Sequence, residues 1–173
     1  MLRLLRYSCL LLCCITFTVF AFGQKKLNSS LYQYTLTVPD SLMETTEPGN
    51  DSEKTFYDNV SGVVMMVTGR AGIFENASGY MNCSKKNLET ELKDYQGDST
   101  LRLISCDQSK HYSKEVVILH FETKALPEGF NRCMMYFVHR SDKEVQFSFM
   151  YDKENDKTSV VYIEKIMQTL QLP

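Results

Sequence analysis

Apolar and polar positions alternate in two distinct periods along this chain, and the switches between them outline its elements. Tyr32, Tyr34, Leu36 and Val38 alternate with Gln33, Thr35 and Thr37. A period of two with aromatic and β-branched residues predicts a strand with one buried face. Pro39 ends it, because proline cannot extend a hydrogen-bonded ladder. After a turn-rich stretch around Pro48-Gly49-Asn50-Asp51, residues 54–58 form a short strand candidate. Residues 63–68 (Val-Val-Met-Met-Val-Thr) are apolar on both faces, as a central strand requires.

Between residues 77 and 96 the period lengthens. Met81, Leu88, Leu92 and Tyr95 fall on one stripe, which predicts one amphipathic helix closed by Gly97. Asn76 or Ser78 caps its start. Four strand candidates follow at 100–109, 114–124, 131–140 and 144–151, the last two joined by a turn at Ser141-Asp142-Lys143. A closing helix starts near Asp156, a good N-cap, and carries Val160, Ile163, Met167 and Leu170 along one side. The order is β-β-β-α-β-β-β-β-α. The expected fold is α+β, a six- or seven-stranded, mainly antiparallel sheet flanked by two helices.

The first 23 residues obey neither period. Arg3 and Arg6 precede an apolar run that ends at Ala21-Phe22-Gly23. This is the layout of a signal peptide cut before Gln24, and it predicts a secreted or periplasmic protein. Residues 7–23 are slightly short for a membrane span of about 20 residues. Left uncleaved, the segment would act as a signal anchor and tether the domain. Residues 24–30 are polar and read as a flexible leader to a single domain at 31–173.

Removing 23 of 173 residues leaves 150, the size of one domain. Lys+Arg falls from 19 to 17 against 21 Asp+Glu, a net charge of −4. With no basic block, the composition points away from nucleic acid and from an anionic membrane surface. Cys9, Cys13 and Cys14 leave with the signal, and Cys83, Cys106 and Cys133 remain. Three widely spaced cysteines are not a disulfide framework and allow at most one intramolecular bridge.

The opening segment Tyr34-Thr35-Leu36-Thr37-Val38-Pro39, the middle helix, and a closing helix at 159–170 after an aromatic strand resemble the PsbP-like superfamily. That group includes the photosystem II extrinsic protein, the Ran-binding Mog-type proteins and the DcrB-like bacterial envelope proteins. The resemblance spans nearly all of 31–171. It implies an antiparallel sheet flanked by helices and a non-catalytic role in assembly, stabilisation or binding. No family site residue has a counterpart here.

No nucleophile elbow, zinc-protease motif, phosphate loop or dinucleotide fingerprint is present in the sequence. Of His111, His120 and His139, the second shares a strand face with Glu122. If His139 lies beside them, His120, Glu122 and His139 would suit zinc or iron and a small metal-dependent or hydrolytic enzyme. The leading expectation is instead a non-enzymatic domain, without cofactor, that binds a protein partner or supports an envelope assembly. Tyr57, Tyr80 and Phe130, near loops, are its candidate contact residues. A third expectation is small-ligand or lipid binding in a cleft between sheet and helix.

Overall fold

The computed structural model describes residues 23–45, 54–69, 72–109, 116–139 and 144–172. The signal segment through residue 22, the turn around Pro48, His111 and the turn at 141–143 lie outside them. Among the described residues, nine strands form two sheets. Strands β1 (Gln24–Ser29) and β2 (Tyr34–Pro39) make a two-stranded antiparallel hairpin. The other seven are β3 (Leu42–Glu44), β4 (Lys54–Asp58), β5 (Val63–Thr68), β6 (Arg102–Gln108), β7 (Val116–Glu122), β8 (Arg132–His139) and β9 (Glu144–Tyr151). They run in the order β3-β4-β5-β9-β8-β7-β6, every neighbouring pair antiparallel. The expected α+β architecture is therefore the observed one.

Both faces of the large sheet are covered. The hairpin and α3 (Asp156–Met167) close one face over Phe56, Met65, Phe147 and Phe149. Helices α1 (Ala77–Asn82) and α2 (Lys85–Gln96) pack on the other, over Leu103, Leu119, Phe121 and Phe137. Strands β8 and β9 sit between both cores and are buried along nearly their whole length.

Three local expectations change. Gln24–Ser29, read as a flexible leader, is strand β1, paired residue by residue with β2 from Gln24↔Pro39 to Ser29↔Tyr34. Its side chains are mostly polar because it is an outer strand, and the ladder needs only its backbone. The helix read at 77–96 is two helices. Cys83 is extended (φ −76°, ψ 136°), and the Ser84 hydroxyl accepts from the Asn87 N–H at 3.2 Å, capping α2. The break resets the helical phase, so Tyr80 is 1% exposed and Met81, read as core, is 38% exposed. Asp156 is not the cap of α3 but its first residue, preceded by a 3₁₀ turn (Lys153–Asn155) that Asp152 caps. Two expected end markers hold: Asn76 caps α1, and Gly97, at φ 67°, ends α2 in the left-handed region that favours glycine.

Candidate functional site

Strand register builds an apolar row across the large sheet on the face that carries α1 and α2. Met43 pairs with Tyr57, Tyr57 with Val64, and Val64 with Met150. The helices sit over β6 and β7, at the other end of the sheet. Exposure accordingly rises toward the β3 edge: Met150 is 9%, Tyr57 40% and Met43 53% exposed. Their chain neighbours Leu42 and Phe56 point to the opposite face and are fully buried. Of the expected contact residues, Tyr57 lies on this open row. Phe130 is half-buried against the core under the helices.

Tyr80 serves packing instead. Its ring stacks on Phe137 (5.7 Å between centroids) and its hydroxyl accepts from the Ile73 N–H at 2.8 Å. The Gly72 N–H donates to Glu144 at 2.7 Å. A Cβ at Gly72 would come within 2.6 Å of the Tyr80 hydroxyl, so only glycine fits this approach. His139 completes the cluster, its Nδ1 3.1 Å from Glu144 Oε1.

The structure does not bring the three candidate metal ligands together. His120 pairs with Met134, and Met134, Tyr136 and Val138 face α3 and the hairpin. His139 alternates with them and faces the Tyr80 side, so the two imidazoles lie on opposite faces of the sheet. Among the described residues no three His, Cys, Asp or Glu side chains are grouped to hold a metal ion.

His120 and Glu122 share a face, as expected, but their partners come from β6, β8, β9 and α3. The His120 Nε2 is 2.8 Å from the Tyr151 hydroxyl, which donates to Asp156 at 3.2 Å. One phenolic proton serves two neighbours only if Nε2 carries its own proton and donates to Tyr151. Arg132 donates to Glu122 at 3.0 Å, and Arg102 reaches the same oxygen at 2.9 Å. The Arg102 hydrogen bond holds the Glu122 carboxyl below its ordinary range. Burial pushes His120 below its ordinary 6.5, and Arg132 adds to this against the pull of Asp156 and Asp107.

The fold thus favours neutral His120. On acidification the unfolded chain takes up this proton first, so the stabilisation is full above pH 6.5 and is lost as pH falls through the folded value. Urea midpoints of wild type and His120→Gln at pH 7.5 and 5.0 check this. The wild type should lose more stability on acidification than the variant, and equal losses would refute the assignment.

A cleft of about 330 Å³ opens between β2, the β4–β5 turn and α3. Val38, Pro39, Val60 and Ile166 line it with apolar surface, and Lys165 is its basic group. Asp58, 1% exposed, organises the turn. Its Oδ1 accepts from the Val60 and Ser61 N–H groups at 2.8 and 3.4 Å, and its Oδ2 from Ser41 at 3.1 Å and from the Tyr162 hydroxyl. Burial by itself would raise this carboxyl. The hydrogen bonds, Tyr162 first, outweigh it and hold the group below 3.8. The sequence offered no sign of this site, because Ser41, Asp58 and Tyr162 are far apart along the chain.

The strand order, the helix pair on one face and the hairpin with the closing helix on the other define a PsbP-like α+β fold. The chain is similar to cyanobacterial PsbP (CyanoP) from Synechocystis, with a TM-score of 0.62, 11% identity and coverage of 90% of this chain and 95% of that one. It is also similar to a crystal structure from Bacteroides thetaiotaomicron, with a TM-score of 0.52 and 17% identity. That match covers 88% of this chain but only 49% of the other. At these identities the likeness is one of fold. No protein-family model and no curated protein matches the sequence.

Proposed function

We propose that the chain is an exported, non-catalytic domain that binds a protein partner through the open row at Met43 and Tyr57. The observation that carries this reading is the row itself. Tyr and Met, types enriched in protein interfaces, stand side by side on the sheet surface while their chain neighbours Leu42 and Phe56 are fully buried on the opposite face. The partner's matching surface is apolar, and Tyr57 is the residue whose loss should weaken binding most. Export is supported by the basic start and apolar run, and by the position of β1, which begins at Gln24, directly behind the expected cut. Among the described residues no helix is long and apolar enough to cross a membrane.

The test is capture of the tagged protein from envelope or medium with a photo-crosslinking residue at position 57. One partner protein should crosslink. The paired substitution Met43→Ser with Tyr57→Ser should reduce its capture tenfold or more. Both positions are exposed, so stability should change by no more than about 0.5 kcal/mol for each. Equal capture by wild type and the double variant would exclude this row. The intact mass of the captured chain should correspond to a start at Gln24, and a mass that includes residues 1–23 would remove the cleavage reading.

A second reading, small-ligand or lipid binding, is favoured by the apolar cleft beside Asp58 and Tyr162, whose volume falls in the range of small-molecule sites. Its test is native mass spectrometry of the protein purified without detergent. A copurifying small molecule lost on Ile166→Trp would support it, and its absence from the wild type would count against it.

A further inference from the structure

Cys83 and Cys106 come from different layers and line one small cavity of about 210 Å³. Cys83 sits on the turn between α1 and α2, and α1 packs on β6, which carries Cys106. A local irregularity aims the second thiol. Leu103 and Cys106 are three residues apart and would face opposite sides of a regular strand. The register shifts between Leu103 and Ser105, so Leu103 pairs with Phe121 and Cys106 with Leu119, both on the helix side. This bulge turns Cys106 toward the helices and the shared cavity.

Cys133 is excluded as the partner of Cys106. It aligns with Phe121 of β7, and Cys106 with Leu119 of the same strand. Two inter-strand steps place it roughly 10 Å from Cys106. A disulfide requires Cα atoms within about 7 Å. Cys133 is also buried, and burial pushes its thiol well above its ordinary value.

We propose that Cys83 and Cys106 are a dithiol that closes to an intramolecular disulfide, stapling the α1–α2 turn to edge strand β6. The oxidant is a second disulfide, met by exchange. The Cys83 thiolate attacks one sulfur of oxidised glutathione, forming a mixed disulfide and releasing one glutathione thiolate. The Cys106 thiolate then attacks the Cys83 sulfur, forming the Cys83–Cys106 bond and expelling the second. Two electrons pass to glutathione, and the two cysteine protons end on the released thiols. The Lys85 ammonium lines the same cavity, held 3.0 Å from the Ile104 carbonyl, and attracts the anionic oxidant. Burial, then Asp107 and the neighbouring Cys83, push the Cys106 thiol up to about 11, so closure should be the slow, base-dependent step.

The purified, reduced protein is equilibrated with oxidised glutathione, quenched in acid with a maleimide, digested and mapped by mass spectrometry. The expected result is one crosslinked peptide pair, Cys83 with Cys106, two hydrogens lighter, and a Cys133 that is alkylated only after denaturation. Closure should raise Tm by roughly 5–10 °C. Reductant, Cys83→Ser and Cys106→Ser should each remove that rise. Three free thiols at equilibrium, glutathione held at either cysteine without closure, or any bond to Cys133 would each overturn the proposal. Should a serine variant fail to fold, the wild-type peptide map decides by itself.

Discussion

Asp58→Ala is expected to lower the unfolding free energy by about 3–4 kcal/mol, because four donors lose one acceptor. The carboxylate receives two backbone N–H groups of the β4–β5 turn and the hydroxyls of Ser41 and Tyr162. It thereby ties that turn to α3 and to the chain just before β3. Each donor left without a partner in a buried site costs roughly 1–3 kcal/mol, and water entering the adjacent cleft recovers part of the loss. Asp58→Asn keeps one acceptor oxygen and should lose about half as much. The carboxyl sits below its ordinary 3.8, so on acidification the unfolded chain binds this proton before the folded one does. The stabilisation is full above about pH 4 and disappears as pH falls through the folded value. Urea titrations should therefore show a wide gap between wild type and Asp58→Asn at pH 7 that narrows at pH 3. A constant gap would mean that the carboxylate charge is not what holds the turn.

Phe147→Ala should cost about 3–5 kcal/mol, the range for removing a fully buried ring. Phe147 lies on a central strand with its ring 5.1 Å from Tyr34, edge to face at 77°. Tyr34 belongs to β2, so this contact fastens the two-stranded hairpin onto the seven-stranded sheet. The loss should be selective as well as large. Amides of β1 and β2 should exchange with solvent faster than those of β7 and β8, which stay covered by α1 and α2. Phe147→Leu keeps most of the buried volume and should cost less than half as much. If calorimetry finds less than about 1 kcal/mol for Phe147→Ala, the hairpin is not packed as described.

The legible parts of the fold were those that a residue's own neighbours determine. The bounds of β4, β5 and β9 followed from composition and period, and Gly97 and Asn76 marked helix ends, because turns, caps and strand faces are local properties. The illegible parts turn on partners distant in sequence. Strand β1 was hidden because its pairing with β2 uses backbone groups that every residue has. Tyr80 and Met81 exchanged their expected places because one serine, capping a new helix, reset a phase that the hydrophobic stripe had carried straight through.

The candidate site divides the same way. Tyr57 was recognisable as an aromatic residue near a loop, but only the pairing of β3 with β4 set Met43 beside it. His120 and Glu122 were placed on one face by strand periodicity, which is intrinsic to a single strand. Whether His139 joined them depended on the alignment of β7 with β8, where a shift of one residue reverses the face. The sequence by itself determined an α+β chain of antiparallel strands, because the alternation of apolar and polar residues is dictated by burial of one side of each element. Only the tertiary structure decided which strand lies beside which. It thereby separated two histidines, gathered Ser41, Asp58 and Tyr162 around one turn, and brought two cysteines to one cavity. Such register is selected by the packing of whole layers, and no short stretch of chain encodes it.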